Sequence, residues 1–333
     1  MIILNVGAYL TGAFGQSNKL YEARNEAKRG RIAPLNIKDI VNKQILEDTK
    51  TIIDKQKKAG FSFIIDPMFN VYYLFQQFSD NVKGVKIGPQ ENWFDNNVFY
   101  WIPLIDKPLN TKQELFTRNI HLNLLPEENT MVILPSPYSL LMLSHVDYVK
   151  GYDNKKSAII DISEIIKQEA NKLAEKGVKR IQYDEPAFVK KQSLGSLEKE
   201  DFELLEIALE KCGKIKNIET SLHTYFGDAG PIINYLINLP VDCIGIDATE
   251  TRLEDVLKND FSKKELAIGL INARESYIED VDELVSKLKL IKNRSRPKAL
   301  WLTPNTGTEY IGWTYGLKKM NILKKAVEAF KNE

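Results

Sequence analysis

The sequence predicts an α/β chain folded as a single (β/α)8 TIM barrel. Three observations carry that prediction. Short apolar runs alternate with amphipathic runs of helical spacing along most of the chain. The strand-helix pairs number eight, the count that closes a parallel sheet on itself. The 333 residues show no linker, repeat or low-complexity stretch, and a barrel of this kind often runs past about 250 residues as one unit. One domain over 1–333 is expected.

The elements follow in order. Ile2–Gly7 is mostly apolar and ends in Gly, as a buried parallel strand should. Ile37–Ala59 has helical spacing and stops at Gly60. Phe61–Ile65 is the second strand, closed by Asp66-Pro67. Met131–Leu134 is the third, closed by Pro135-Ser136-Pro137. Helix Ile159–Glu175 ends at Gly177, and strand Val178–Tyr183 ends in Asp184-Glu185-Pro186. Helix Asp201–Lys211, strand Ile218–Thr224 and helix Pro231–Leu239 come next. Strand Asp242–Asp247 leads to a short helix near Leu253–Leu257, then to strand Leu266–Ile271. Helix Val281–Ile291, strand Ala299–Thr303 and a helix near Leu317–Phe330 complete the series. Asn81–Ile120, rich in aromatics and prolines without helical period, reads as an inserted irregular or β excursion at about 81–120.

Composition narrows the function. Hydrophobic residues make up 43% and charged residues 27%, enough for a large core. The 46 basic and 45 acidic residues nearly cancel, which gives no general pull toward nucleic acid or membrane. Two cysteines, Cys212 and Cys243, argue against a disulfide framework and for a reducing compartment. The apolar N-terminus has neither a basic leader nor a cleavage site. No run approaches the roughly 20 apolar residues of a membrane span. A cytoplasmic protein is expected.

In a barrel the loops after the strands form the working face. Asp66, Ser136, Asp184 with Glu185, His223 with Tyr225, Asp247 with Glu250, Asn272 with Arg274, and Asn305 all fall there. Carboxylates held close together raise one another's pKa and cost stability unless a cation compensates. Their convergence points to a functional pocket, with Asp184 and Glu185 placed to hold an ammonium group. Taken singly, Asp66 and Ser136 also suit turns beside proline, and Asp247 suits a helix cap. Trp93 and Phe94 in the excursion are candidates to cover the mouth. His121 and His145 read as surface or packing residues.

Several runs together resemble the cobalamin-independent methionine synthases. IQYDEPAF is similar to that family's QIDEPAL. LHTYFGD, LPVDCIGIDAT, GLINARESY and LWLTPNTG, with Trp313 shortly after, follow in the family's order. Those enzymes carry two similar barrels. The C-terminal one binds zinc, which activates the homocysteine thiol; the N-terminal one has lost the metal and helps shape the folate cleft. NWFDNNVFYWIP and TYFGD resemble the N-terminal half, while LWLTPNTG resembles the zinc half's LWVNPDCG.

The resemblance implies a ligand set of His, Cys, Glu and Cys. Here His223 keeps the first place, Tyr225 stands at the second, Asp247 or Glu250 lies near the third, and Thr306 stands at the fourth. Cys243 falls four residues before Asp247, roughly 13 Å from the strand end at about 3.3 Å per residue. A zinc–sulfur bond is about 2.3 Å, so neither thiol should reach the site. The expectation is no metal and no cofactor in this chain, with Tyr225 bonded to His223 or Asp184 instead. Ala8, Leu143, Asn92 and Ser17-Asn18 replace groups that would hold homocysteine, stack a pterin or bind a folate tail, so folate is a doubtful methyl donor. The implied role is the metal-free barrel of a split methionine synthase, with a zinc-bearing catalytic chain and a small-molecule methyl donor as partners. A self-sufficient methyltransferase-like enzyme using Asp184, Glu185, His223 and Tyr225, or a non-catalytic binding protein, are the alternatives.

Overall fold

A computed structural model describes residues 4–29, 34–94, 96, 98–110, 115 and 119–332. The chain begins with β1 (Asn5–Ala8), α1 (Asn18–Lys28), α2 (Pro34–Lys58) and α3 (Gln76–Asn81). A ribbon of β2 (Lys83–Asn92) and β3 (Phe99–Asn110) follows, then β4 (Met131–Pro135), α4 (Pro137–Met142) and β5 (His145–Val146). The regular alternation resumes with α5 (Lys155–Glu175), β6 (Arg180–Asp184), α6 (Pro186–Ser193), α7 (Lys199–Cys212), β7 (Glu219–Thr224) and α8 (Ile233–Asn238). It ends with β8 (Cys243–Asp247), α9 (Leu253–Leu257), β9 (Glu265–Ile271), α10 (Val281–Arg294), β10 (Ala299–Pro304) and α11 (Gly312–Asn332).

Seven strands form one parallel sheet in the order β1-β10-β9-β8-β7-β6-β4. The strands β4, β6, β8 and β10 are buried along their whole length, as expected of a sheet covered by helices. Of the expected first strand, Ile2 and Ile3 lie outside the described residues. The expected second strand is corrected: 61–65 forms no ladder. Its backbone meets one sheet edge through the Ser62 N–H to the Ala8 carbonyl (2.9 Å), and the other through one isolated parallel bridge of Ile64 with Thr130, in which the Ile64 N–H donates to the Asn129 carbonyl (3.0 Å) and the Met131 N–H to the Ile64 carbonyl (3.0 Å). Side-chain amides take several other groups of the segment. Gln56 on α2 accepts from the Ile65 N–H at 3.0 Å and donates to the Ile65 carbonyl at 2.8 Å. Asn129 donates to the carbonyls of Phe61 and Ser62 at 3.2 Å each. Backbone groups satisfied in this way have nothing left for a ladder.

The excursion is an antiparallel ribbon of β2 and β3, with β5 added parallel to β3. The register shifts twice between its long strands, which twists the ribbon away from a flat edge. Sequence periodicity missed α1, α4 and α6, all short or weakly amphipathic. Helix α5 starts at Lys155, ahead of the expected Ile159, because Asn154 and Ser157 form a capping box. No helix among the described residues is long and apolar enough to cross a membrane.

The end of the sheet opposite the strand C-termini is closed by a buried cation. Arg180, the first residue of β6, has no exposed surface. It pairs with Glu219 at 2.6 Å and with Glu265, and its guanidinium lies 4.1 Å from the Phe63 ring centroid and 5.6 Å from that of Trp301. The Trp301 indole donates to Glu265 at 2.8 Å. Cys243, at the start of β8, belongs to this layer, and its thiol is pushed up to about 12, chiefly by burial.

Candidate functional site

The strand C-termini open into a cleft with a cavity volume of about 160 Å³. Its walls come from the loop after β1 (Gly12–Phe14), the loop after 61–65 (Met68–Leu74), Trp93 and Val98 of the ribbon, Asp184, Tyr225, and the loop after β10 (Thr306–Tyr310). Trp93 is wedged edge-on against Phe75, Phe94 and Tyr100, with centroids 5.0–5.5 Å apart. Phe94 reaches Phe226 after β7 at 5.8 Å, so the excursion folds over the mouth.

Asp184 ends β6 and is placed by its neighbours. Gln182, two residues back on the same face, donates to Oδ1 at 2.7 Å and to the Thr11 carbonyl at 2.8 Å. The Tyr225 hydroxyl donates to Oδ2 at 3.3 Å. Burial drives the Asp184 carboxyl well above the usual carboxylate range, and Glu309 and Glu185 add to it. The Tyr225 hydroxyl is likewise raised, first by burial and then by Asp184. Of the two partners weighed for Tyr225, the bond goes to Asp184.

Glu309 was not singled out from the sequence, although it lies in the same rim loop as Asn305. It is exposed to solvent on the cleft wall. It lies close over Gly307, where a Cβ would fall 2.0 Å from its Oε2. The cleft thus holds two carboxyl groups, one of them, Asp184, raised by burial. A cation entering between them favours their ionised forms.

The other expected site residues do not line this cleft. His223 is buried, its Nε2 donates to the Asn305 carbonyl at 2.9 Å, and its Nδ1 finds no partner. That nitrogen faces Gly245, where a Cβ would lie only 2.2 Å away. Burial lowers the imidazole to about 4, so it is neutral. Asn305 ties the loops after β8 and β9, donating to Thr249 at 3.0 Å and accepting from the Ala273 N–H at 2.8 Å. Asp247 accepts from the Thr249 N–H at 2.9 Å and hydroxyl at 2.6 Å. Glu250 pairs with Arg274, whose guanidinium covers Phe226 at 5.2 Å. Asn272 accepts from the Arg274 N–H at 3.0 Å and donates its own N–H to Glu279 at 2.8 Å. Lys319, itself buried, holds Glu279 at 2.7 Å and so fixes that loop.

Asp66 faces a smaller hollow beside the cleft. It accepts from the Met68 N–H at 2.7 Å and pairs with the His121 ring at 2.9 Å, which raises the imidazole pKa. Ser136 starts α4. Glu185 is fully buried and caps α6: it accepts from the Phe188 N–H at 3.0 Å and from Ser139 Oγ at 2.5 Å. Its geometry is that of a brace between α4 and α6.

Glu185 makes stability depend on pH. Burial raises its carboxyl from 4.5 to about 7, so the native state keeps a proton that the unfolded chain releases. That contribution is complete below about pH 4.5 and is lost as pH rises through about 7. Urea midpoints should therefore fall between about pH 5 and pH 8, and Glu185→Gln should flatten the slope whatever it does to the absolute value. An unchanged slope would remove Glu185 as its source.

The donor set for zinc can be tested on these positions. A phenol, a hydroxyl and an imidazole whose free nitrogen faces backbone do not make the nitrogen and sulfur set that a thiol-activating zinc needs. Cys212 is buried at the end of α7, donating to the Ala208 carbonyl at 3.2 Å, and Cys243 lies in the opposite layer. Among the described residues, no three His, Cys, Asp or Glu side chains gather as a metal site.

Comparison with known proteins adds family and fold. Residues 81–296 match the family model described as the cobalamin-independent synthase N-terminal domain. The methionine synthase of Sulfurisphaera tokodaii is 23% identical over 97% of this chain and 91% of its own length. That of Saccharolobus solfataricus is 22% identical over 97% of this chain and 94% of its own. Among solved structures, a B12-independent methionine synthase from Shewanella in complex with selenomethionine superposes with a TM-score of 0.72 at 18% identity, covering 88% of this chain and 89% of that one. A putative vitamin-B12-independent methionine synthase from Listeria monocytogenes gives 0.72 at 18% identity, covering 98% of each chain. At such identity the two structures speak for the fold alone.

Proposed function

The chain belongs to the family of the cobalamin-independent synthase N-terminal domain, and from that membership we propose that it serves methionine synthesis as a metal-free barrel working with a separate zinc-bearing chain. In this reading segment 61–65 completes the sheet as its eighth stave. The observation that carries the reading is the cleft itself: it presents Asp184, Glu309 and Tyr225, with both thiols elsewhere. Such a cleft can bind and orient a cationic or amine-bearing ligand, shield it from water and hold a proton at Asp184. It has no group to activate a thiol, so that step falls to the partner. The replacements at Asn92 and Ser17-Asn18 disfavour a folate tail, and Ser17 is engaged instead as the cap of α1 and with Asp48 at 2.6 Å.

One observation favours a second reading, a chain active alone. The archaeal methionine synthases it matches are nearly covered by its own length. Homocysteine methylation by a zinc-bearing paralogue, measured with and without this chain, separates the two. Stimulation on addition supports the split enzyme; methyl transfer by this chain alone replaces it with the second reading. No effect of either kind defeats both.

A further inference from the structure

Met68 opens the loop after 61–65 with φ at +60°, a left-handed conformation that side chains other than glycine adopt at a cost. Something must hold it there. Asp66 does so with both oxygens. Its Oδ1 accepts from the Met68 N–H at 2.7 Å. Its Oδ2 accepts from the His121 N–H at 2.8 Å and meets the His121 ring Nδ1 at 2.9 Å. One carboxylate thus ties the start of this loop to the place where the chain returns from the excursion. The loop is held further along by the Phe14 N–H on the Pro67 carbonyl (3.0 Å) and by Arg24 Nη2 on the Phe69 carbonyl (2.6 Å). Its aromatics rest on two tryptophans: Phe69 stacks on Trp313 at 6.2 Å, and Tyr73 meets Trp101 at 5.6 Å.

Among the described residues no cation other than His121 pairs with Asp66. The His121 ring keeps 22% of its surface exposed, so protons reach it. Lys57 of α2, beside the turn that His121 opens, is committed to the Leu124 carbonyl at 3.3 Å, and Asp66 is the group whose charge acts on the ring. We propose that Asp66 and His121 form a pH-sensitive latch: the imidazolium holds Met68–Leu74 in place, and its neutralisation loosens that wall. The bond to Asp66 raises the imidazole above its ordinary 6.5. A released ring returns to 6.5, so the hold is complete below that value and is lost as pH rises through the raised one. The latch is independent of what the cleft binds.

Hydrogen exchange read by mass spectrometry tests it on this chain alone. Protection factors, corrected for the intrinsic effect of pH, are followed from about pH 5.5 to about pH 8.5 for Met68–Leu74 and for the peptides of β7 and β8. The sheet peptides report the global change that Glu185 brings. Protection of Met68–Leu74 should fall beyond theirs by roughly five- to tenfold, the difference between a charge-assisted and a neutral hydrogen bond. His121→Gln keeps a donor for Asp66 but cannot titrate, and should abolish that excess. Three results overturn the proposal: the loop's protection is flat, it only follows β7 and β8, or the excess survives in His121→Gln. If that variant does not fold, NMR titration of the wild-type histidines decides. His121 is assigned with His145→Gln, since His223 is lowered to about 4. A His121 midpoint at or below 6.5, or one apart from the midpoint of loop exchange, defeats the latch.

Discussion

Arg180→Gln should lower the folding free energy by about 3–5 kcal/mol, the loss expected when one partner of a buried ionic network is removed. Arg180 has no exposed surface, and Glu265 has little. The substitution keeps some packing but leaves Glu265 without its cation in a layer built from Phe63, Trp301 and Tyr9. The ring contacts at 4.1 and 5.6 Å lose their cation as well. Urea denaturation at neutral pH measures the effect. A loss under about 1 kcal/mol would mean that water reaches this layer and screens the pair.

Asp184→Asn should instead remove ligand binding and leave the fold intact. The amide occupies the same volume, its oxygen accepts from Gln182, and the Tyr225 hydroxyl can turn to accept from the new NH2. Burial raises the wild-type carboxyl well above the usual carboxylate range, so an arriving ammonium favours loss of its proton. Calorimetry in buffers of different ionisation enthalpy should show proton release on binding to the wild type and none from this residue in the variant. Affinity should fall roughly ten- to a hundredfold, while the melting temperature stays level or rises. A variant that binds normally would show that the cation sits elsewhere in the cleft.

The sheet was legible because its strands are short runs of mainly apolar or β-branched residues bounded by Gly, Pro or acids: β4, β6, β7, β8, β9 and β10 all read this way. Segment 61–65 reads the same, yet its bonding is divided between a single bridge to the sheet and the amides of Gln56 and Asn129, and no periodicity reveals which partner a backbone amide takes. At the rim, the rule that strand ends carry chemistry located Asp184 and Tyr225 in the cleft. It could not tell them from Glu185 and Asp247, because facing the cleft or capping the next turn is decided by a rotation of one or two residues. His223 shows the same limit: its spacing suggests a ligand, while the Asn305 carbonyl takes Nε2 and the Gly245 backbone crowds the unpartnered Nδ1. Arg24 and Glu309 lay outside any strand-end motif and met the cleft only through the fold.

The two edges of the sheet are joined through 61–65 by three backbone hydrogen bonds, and that join has a mechanical meaning. So few bonds, set beside the continuous ladder of the other seven strands, make this stretch the place where local opening is expected first. Met68–Leu74, hung directly from it, form one wall of the cleft. The wall and the seam therefore share one segment, so a change in how 61–65 is held is expected to reshape that side of the cleft.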